Sequence, residues 1–285
     1  MGTRWLDPRD LGRSDERSHL RCHSGLTRYG VSCLHLLVAG ASCYLLIDIS
    51  NSFTKLAFAS QTRVFQPSRI ATDKLSSAYL RRFAGRREIA LLVVSSVVPK
   101  KNLVIRAAVG RTEVLWLNPQ LNLGVGIDYP RPRSIGADRL ANAAAVAELY
   151  GCPSIVVDFG TAVTFDIVSK GRNYIGGVIA PGLEAMTNFL YQRTALLPKL
   201  SLEEPRRAIG KSTIAAMRSG AIFGYRGLVR EIIARIKAEG FGRQKVHVVA
   251  TGGYARLIAS KLREIDAIHP HLTLEGLRIV ANLNA

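Results

Sequence analysis

The chain has 285 residues, and its 39 Lys and Arg against 21 Asp and Glu give a formal net charge of +18. Domains commonly span about 150 residues, so this length predicts two domains or two lobes. A hydrophobic content of 48% excludes general disorder. The sequence contains no uncharged apolar run of about 18 residues, the length that a membrane-spanning helix needs. Four cysteines make no disulfide scaffold, so we expect a cytoplasmic protein. The basic charges indicate anionic partners, but they are scattered, which makes nucleic acid an unlikely one.

The N-terminal segment differs in composition from the rest of the chain. It mixes Arg, Asp, Ser, Gly and His with little periodicity, and we predict that residues 1–43 form a disordered extension. An over-long start assignment is one alternative, and a cleaved targeting segment is another. The apolar stretch 34–46 resembles the core of a signal peptide, but it lies far from Met1 and continues into a strand.

From residue 44 onward, apolar runs typical of strands alternate with stretches of helical periodicity. The predicted strands are 44–49, 90–98, 154–159 and 246–250, and the predicted helices are 136–150 and 211–239. Ser134 is a candidate N-cap of the first helix. We expect Gly220, Gly224 and Gly227 to let another backbone approach the second helix closely. Strands that alternate with helices predict an α/β protein with mixed sheets covered by helices.

The sequence contains an internal repeat. The segment LLIDISNSFTKLAF returns 110 residues later as IVVDFGTAVTFDIV. In each copy three aliphatic residues lead to an aspartate, Asp48 or Asp158, and then to a small-residue turn and a second apolar strand. Thr54 and Thr164 occupy the same position in this alignment. The repeat predicts a duplicated fold with a cleft between its two halves.

An aspartate at the end of a buried strand has a specific chemical use when a tight turn follows it. Its carboxylate can hold a hard cation directly or through water, while the N–H and hydroxyl groups of the turn can hold phosphate oxygens. Two such hairpins that face each other predict a nucleotide site. A single hairpin is explained as well by an aspartate that caps its own turn.

Three further patterns carry less information by themselves, and two motifs of other site classes are absent. Residues 136–139 (Gly-Ala-Asp-Arg) stand at a predicted helix start, and 251–253 (Thr-Gly-Gly) follow a predicted strand. Residues 210–212 (Gly-Lys-Ser) resemble the end of a P-loop, but the first glycine of that motif would fall on Pro205. The cysteines lack the Cys-x-x-Cys spacing of a zinc site, and no G-x-S-x-G motif marks a nucleophilic serine.

The order of these motifs resembles that of type III pantothenate kinases over about residues 44–285. The matching segments are 48–52, 95–99, 126–130, 136–139, 158–162, 176–182, 194–198 and 251–253. The resemblance implies a duplicated two-lobed actin/ribonuclease-H-like (ASKHA) α/β fold, and a homodimer. Its predicted domains are a first ribonuclease-H-like lobe at 44–153 and a second at 154–285, after the extension at 1–43.

The resemblance also implies an activity: ATP-dependent phosphorylation of pantothenate to 4'-phosphopantothenate, the first step of coenzyme A biosynthesis. Mg²⁺ would accompany ATP, and a monovalent cation (K⁺ or NH₄⁺) would be bound by Asp158. Asp138 would be the catalytic proton acceptor. The implied ATP-binding residues are Asp48, Ile49, Ser50, Asn51, Ser52, Phe53, Thr54, Lys55 and Thr161. The implied pantothenate-binding residues are Tyr129, Gly136, Ala137, Asp138, Arg139 and Thr194.

One position departs from the family pattern. Ser50 stands where the family usually has glycine, and a turn that needs positive φ would strain a serine by about 1 kcal/mol. Because Ser52 and Thr54 keep hydroxyl groups in this hairpin, we expect a tolerated variant.

Two other functions compete with this interpretation. A catalytically weak, nucleic-acid-associated transcription accessory protein on the same fold would suit the charge of +18. The intact segments 138–139 and 158–161 argue against it, because such a protein has no physical need for all of these residues. Another small-molecule kinase is the second alternative, and only Tyr129, Arg139 and Thr194 favour pantothenate over its substrates.

Overall fold

The computed structural model describes residues 43–110 and 112–285, so the prediction for residues 1–42 lies outside the described residues. The described residues belong to one compact unit. The strands are β1 Tyr44–Ile49, β2 Phe53–Ala59, β3 Val64–Ala71, β4 Leu91–Ser96, β5 Val114–Trp116, β6 Gly126–Ile127, β7 Ser154–Phe159, β8 Ala162–Val168, β9 Asn173–Pro181, β10 His247–Thr251 and β11 Ala267–Ile268. The helices are α1 Ser77–Ala84, α2 Pro99–Ala108, α3 Ala137–Leu149, α4 Leu183–Arg193, α5 Thr213–Gly240, α6 Ala255–Ala259 and α7 Leu272–Asn284.

The strands form two sheets with the same topology. The first sheet has the order β3-β2-β1-β4-β5, and the second has the order β9-β8-β7-β10-β11 with β6 added beside β9. In both sheets the first three strands of this order are antiparallel, and the remaining pairs are parallel. The sequence repeat therefore corresponds to a duplicated five-stranded sheet, and the predicted duplicated α/β fold is confirmed.

Helices cover both faces of each sheet, which explains why β1 and β7 are nearly continuous apolar runs. The outer face of the first sheet packs against α1 and α2, and the outer face of the second against α5 and α6. The inner faces share one central core with α3 and α7. Because side chains alternate along a strand, Asp48 shares the inner face with Leu46, and Asp158 shares it with Val156. The fold thus turns both repeat aspartates towards the middle layer.

The middle layer consists of α3 and α7, which pack closely against each other. α7 also packs on β1 and β4, whereas α3 packs on β7 and β8. At the crossing, a Cβ added to Gly276 would lie 2.6 Å from the carbonyl carbon of Ala141, so only glycine allows this approach. The predicted lobe boundary between residues 153 and 154 stays a prediction; β6, which precedes it, belongs to the second sheet.

The predicted strands and helices are confirmed, with ends that differ by at most two residues. Two details are wrong. The N-cap of α3 is Gly136, whereas the Ser134 hydroxyl donates to the carbonyl of Arg131 in a 3-10 turn. A Cβ added to Gly220, Gly224 or Gly227 would meet no described atom within 4 Å outside the nearby backbone of α5, so no other described backbone approaches the helix there. Within the described part of the chain, no helix is both long and apolar enough to span a bilayer.

Candidate active site

Two hairpins, β1–β2 and β7–β8, bring the repeat aspartates to a common site. The Asp158 charge acts on Asp48 and raises its pKa, an effect that adds to the larger one of burial. The turns meet directly as well, because the hydroxyl groups of Ser52 and Thr161 are 2.7 Å apart and hydrogen-bonded. The two turns and the two aspartates therefore lie close together, as the repeat predicted.

Asp48 is buried, with 1% of its surface exposed, and has a cation beside it. Lys55 lies directly opposite in the β1–β2 register, with Nζ 3.5 Å from Asp48 Oδ2. Burial alone would lower the pKa of Lys55, but the charges of Asp48 and Asp158 outweigh burial and raise it. Lys55 therefore stays charged. The buried Oδ1 of Asp48 accepts no hydrogen bond of ordinary geometry from any described residue.

Two residues of the first hairpin point away from this site. Ile49 belongs to the outer core of the first sheet. Thr54 lies opposite Ile49 in the register, is fully buried, and shares a 3.0 Å hydroxyl–hydroxyl hydrogen bond with Thr72. Of the predicted ATP-binding residues, these two therefore support the hairpin from its outer side.

The turn itself, residues 50–52, is open to solvent at Asn51 and Ser52, as is Phe53 where β2 begins. The Ser50 amide donates to the carbonyl of Phe53, and its own carbonyl accepts from Thr72. Positive φ occurs at only two described non-glycine residues, and Ser50 is not one of them. The serine thus occupies the family's glycine position without backbone strain.

The second hairpin is shorter by one residue. Its turn is Gly160-Thr161, and the register places Thr164 directly opposite Asp158. In the first hairpin the residue opposite the aspartate is Lys55, and Thr54 lies opposite Ile49. The predicted equivalence of Thr54 and Thr164 is therefore wrong: the two side chains point to opposite faces of their sheets. Asp158 has a neutral partner, because Oδ2 accepts a hydrogen bond of 3.3 Å from the Asn142 amide.

The glycine pair after β10 packs against this hairpin. Gly252 has φ +94°, and a Cβ there would lie 2.5 Å from Asp158 Oδ1 and 2.6 Å from the Phe159 nitrogen. Glycine is thus required at residue 252 for both conformation and space. By contrast, a side chain at Gly253 would meet only the end of Arg69, at 3.9 Å.

Asp138 enters the site from the N-terminal turn of α3. Its Oδ1 accepts a hydrogen bond of 2.9 Å from the Arg139 amide. Burial, followed by the charges of Asp48, Asp158 and Asp166, raises the pKa of Asp138 to about 7. The cap residue Gly136 leaves room for this carboxylate, because a Cβ there would lie 2.5 Å from Oδ1. Asp138 therefore has the pKa of a general base that works near neutral pH.

Arg139 anchors a second group of polar side chains. Its Nε lies 2.6 Å from Asp166 Oδ1, which also accepts from the Tyr174 hydroxyl at 3.4 Å. The ring of Tyr129 contacts that of Tyr174 edge-on, with centroids 6.1 Å apart. The buried Nη2 of Arg139 has no hydrogen-bond partner among the described residues. One end of the guanidinium is thus fixed while the other remains available to an acceptor.

Sequence reasoning missed Asp166, which is fully buried in β8. Burial raises its pKa to about 6, although the Arg139 charge opposes this shift. The signal was present in the sequence, since a charged residue inside the apolar segment TFDIV needs a buried partner. Its partner could not be identified from the sequence, because Arg139 lies 27 residues away in helix α3 and meets Asp166 only through tertiary packing.

Thr194 is the one predicted substrate residue that stands apart. It follows α4, where its hydroxyl donates to the Leu190 carbonyl at 2.9 Å and accepts from the Leu197 amide. These contacts belong to the end of α4 itself. The structure therefore brings Tyr129, Gly136 and Arg139 together, but it does not place Thr194 with them.

Within residues 43–110 and 112–285, no three His, Cys, Asp or Glu side chains form a ready metal cage. Mg²⁺ in kinases is held by one or two carboxylates together with substrate phosphates, so a complete protein cage is not expected. The buried, unbonded Oδ1 of Asp48 fits a carboxylate that acts in this way. On a duplicated α/β fold, two aspartate-tipped hairpins that meet beside a third buried aspartate define a nucleotide-dependent phosphotransferase.

Comparisons with known proteins identify the family. The model of the type III pantothenate kinase family matches residues 44–235. A type III pantothenate kinase from Akkermansia muciniphila is 48% identical over 85% of this chain and 99% of its own length. One from Methylacidiphilum infernorum is 45% identical over 84% of this chain and 88% of its own length. The chain belongs to the type III pantothenate kinase family.

It is therefore an enzyme that phosphorylates pantothenate with ATP, in the first step of coenzyme A biosynthesis, and the family's ATP is used with a divalent metal. A solved Campylobacter jejuni structure, described as a Baf family transcriptional activator, has a TM-score of 0.53 at 19% identity and covers 84% of this chain and 97% of its own. Similarity at that level shows the fold alone. The alternative of a nucleic-acid-associated accessory protein is not favoured.

Proposed function

We propose that Asp138 accepts the proton of the pantothenate hydroxyl as that oxygen attacks the γ-phosphate of ATP. A primary alcohol is a weak nucleophile, so a carboxylate within hydrogen-bond reach assists the step. The observation that carries this proposal is the position of Asp138 at the meeting point of both hairpins, with a pKa of about 7. Near neutral pH a substantial fraction of Asp138 is ionised and able to take the proton.

The phosphates of ATP would lie between the two turns. The first hairpin offers the ammonium group of Lys55 and the exposed hydroxyl of Ser52, and the second offers Thr161. Asp48, whose Oδ1 lacks an ordinary hydrogen bond, would hold Mg²⁺ directly or through water. When bound, Mg²⁺ neutralises phosphate charge, which is the main requirement of phosphoryl transfer.

Asp158 would bind the monovalent cation. Opposite Asp48 the protein supplies an ammonium group, Lys55, whereas opposite Asp158 it supplies the neutral Thr164. A bound K⁺ or NH₄⁺ would place beside Asp158 the positive charge that the Lys55 side chain places beside Asp48. This difference between equivalent positions supports a cation requirement.

Pantothenate would lie against the start of α3. The free Nη2 of Arg139 suits its carboxylate, and Tyr129 would contact it from β6's C-terminal side. The backbone at Gly136 and Ala137 would border the same space. Thr194, which lies outside this group of residues, would complete the site from the second subunit of a homodimer.

The homodimer proposal is supported by an apolar surface near Thr194. α4 and the segment after it expose Phe189 at 59% and Leu196 at 89%, and a cavity of about 580 Å³ lies between α4 and α5. Exposed apolar surface of this extent is typical of a protein interface. Sedimentation velocity at micromolar concentration should give a dimer, and a stable, fully active monomer would contradict it. We retain the cytoplasm as the proposed location.

The decisive experiment is Asp138→Asn in a coupled ADP-release assay with pantothenate, with and without K⁺. We expect turnover to fall about 10²–10⁴-fold, since general-base catalysis contributes that much, while the protein stays folded. Glu231→Gln, at an exposed ion pair on α5, is the control and should behave as the unmodified protein. Near-normal turnover of Asp138→Asn would show that Asp138 is not the base.

A further inference from the structure

Asn142 is a buried polar residue that the proposed mechanism leaves without a role. It lies one helical turn after Asp138 on the same face of α3, and only 1% of its surface is exposed. A buried amide is costly unless it is hydrogen-bonded. Both ends of this amide are bonded: Nδ2 donates to Asp158 Oδ2 at 3.3 Å, and Oδ1 accepts from the Thr273 hydroxyl at 3.0 Å.

The chemistry of the partners fixes the orientation of the amide. An ionised carboxylate only accepts hydrogen bonds, so the NH₂ group of Asn142 must face Asp158. The amide oxygen then faces Thr273, whose hydroxyl is equally buried and acts as the donor. The Asn142 amide also lowers the pKa of Asp166 against the larger, raising effect of burial. This is the smallest of the named effects on Asp166, whose main partner is Arg139, so Asp158 is the carboxylate that depends on Asn142.

This chain of bonds joins the two sheets. Thr273 is on α7, which packs against the first sheet, whereas Asp158 is on β7 of the second. With Oδ2 held by Asn142, the other oxygen of Asp158 lies beside the glycines at 160 and 252. Without the amide, the Asp158 carboxylate would be free to rotate away from that direction.

We propose that Asn142 is a positioning residue for phosphoryl transfer, which holds the Asp158 carboxylate in place and is itself oriented by Thr273. This inference rests on the proposed role of Asp158 in binding the monovalent cation beside ATP. It assigns Asn142 no contact with either substrate. Its loss should therefore affect the use of ATP and K⁺ rather than the binding of pantothenate.

The test uses Asn142→Leu, which keeps a similar volume but removes both hydrogen bonds. We expect kcat/KM for ATP to fall about tenfold or more and the K⁺ concentration for half-activation to rise, as is typical when a hydrogen bond to a charged group is lost. KM for pantothenate should stay within about twofold. An equal loss in all three parameters would overturn the proposal, because it would indicate a merely structural role.

Thr273 provides a second test, and its single variants do not depend on the folding of Asn142→Leu. Thr273→Val should lower kcat/KM for ATP about threefold, and Thr273→Ser, which keeps the hydroxyl, should restore it. If Thr273 acts through Asn142, then adding Thr273→Val to Asn142→Leu should cause no further loss. Independent, multiplicative losses, or equal behaviour of the Val and Ser variants, would overturn the proposal.

Asp158→Asn separates this inference from the proposed function. If Asp158→Asn leaves ATP and K⁺ use unchanged, the cation-binding role of Asp158 is wrong and the positioning role fails with it. If Asp158→Asn impairs both while Asn142→Leu and Thr273→Val do not, only the positioning role fails.

Discussion

At the end of β1, Asp48 lies opposite a lysine, whereas at the end of β7, Asp158 lies opposite a threonine. The two hairpins occupy equivalent places in duplicated sheets, yet the first is buried with its own cation and the second is held by a neutral amide. The two sheets thus share the position of the carboxylate but differ in the group that balances its negative charge. The first carboxylate is paired with a lysine of the chain itself, and we propose that the second is paired with a bound ion.

The strands that neighbour the two hairpins, β4 and β10, are also alike at one position and different at the next. Ser95 on β4 lies beside Asp48, and Thr251 on β10 lies beside Asp158, so each aspartate has a hydroxyl residue in the adjacent parallel strand. The next residue is Ser96 in the first sheet but Gly252 in the second. Gly252 lets the turn after β10 pack closely against Asp158, whereas the turn after β4 meets its hairpin through a hydrogen bond from the Val97 amide to the Ile49 carbonyl.

The largest expected effect comes from removing the built-in cation. Lys55→Met leaves Asp48 buried near other carboxylates, and we expect a loss of about 2–4 kcal/mol in the free energy of unfolding at pH 8. Thr164→Met, at the matching position of the second hairpin, should cost less than about 1 kcal/mol. Urea unfolding of both variants measures the difference.

The pH dependence of the Lys55→Met variant sharpens this prediction. Burial already raises the pKa of Asp48, and without Lys55 it rises further, so the folded state binds a proton more tightly than the unfolded one. Stability is then lost as the pH rises from the usual carboxyl range towards the folded-state pKa. The destabilisation should therefore be smaller at pH 5 than at pH 8, and equal losses in the two hairpin variants would refute the comparison.

A smaller loss is expected at the turn after β10. Gly252→Ala introduces a Cβ against Asp158 and Phe159 at φ +94°, and we expect a cost of about 2 kcal/mol together with weaker ATP use. Ser96→Ala, its counterpart in the first sheet, should cost within about 1 kcal/mol, since it removes only the hydroxyl's hydrogen bonds. Thermal unfolding compares the two, and an unaffected Gly252→Ala protein would show that the contact is not needed.

Giving the second hairpin its own cation tests the comparison directly. Thr164→Lys places an ammonium group opposite Asp158, as Lys55 stands opposite Asp48. We expect activity without K⁺ to rise about tenfold, and the remaining activation by K⁺ to become small. The assay replaces K⁺ with tetramethylammonium at constant ionic strength. A folded Thr164→Lys protein with unchanged K⁺ dependence would count against a cation beside Asp158.

The smallest expected effect is a shift in the pH profile. Asp138 must be ionised to act as a base, so kcat/KM for pantothenate should fall about tenfold per pH unit below an apparent pKa of about 7. Burial and the charges of Asp48 and Asp158 raise this pKa. Asp158→Asn should therefore move the acidic limb to lower pH. A limb that stays in place would mean that Asp158 does not act on the base.

The sequence by itself determined the fold and the main carboxylates of this protein. The repeated strand–Asp–turn pattern predicted the duplicated sheets, since the same run of apolar residues followed by the same turn favours the same local structure twice. It also placed Asp138 and Arg139 at a helix start. These features are local, so neighbouring residues suffice to predict them.

Only the tertiary structure decided which side chains serve as partners. Thr54 and Thr164 align in the sequence, but a turn that differs by one residue sends them to opposite faces. Asn142 and Thr273 are 131 residues apart and meet because α3 and α7 pack together. Contacts of this kind depend on how whole helices and sheets pack, and no local pattern of residues records that packing.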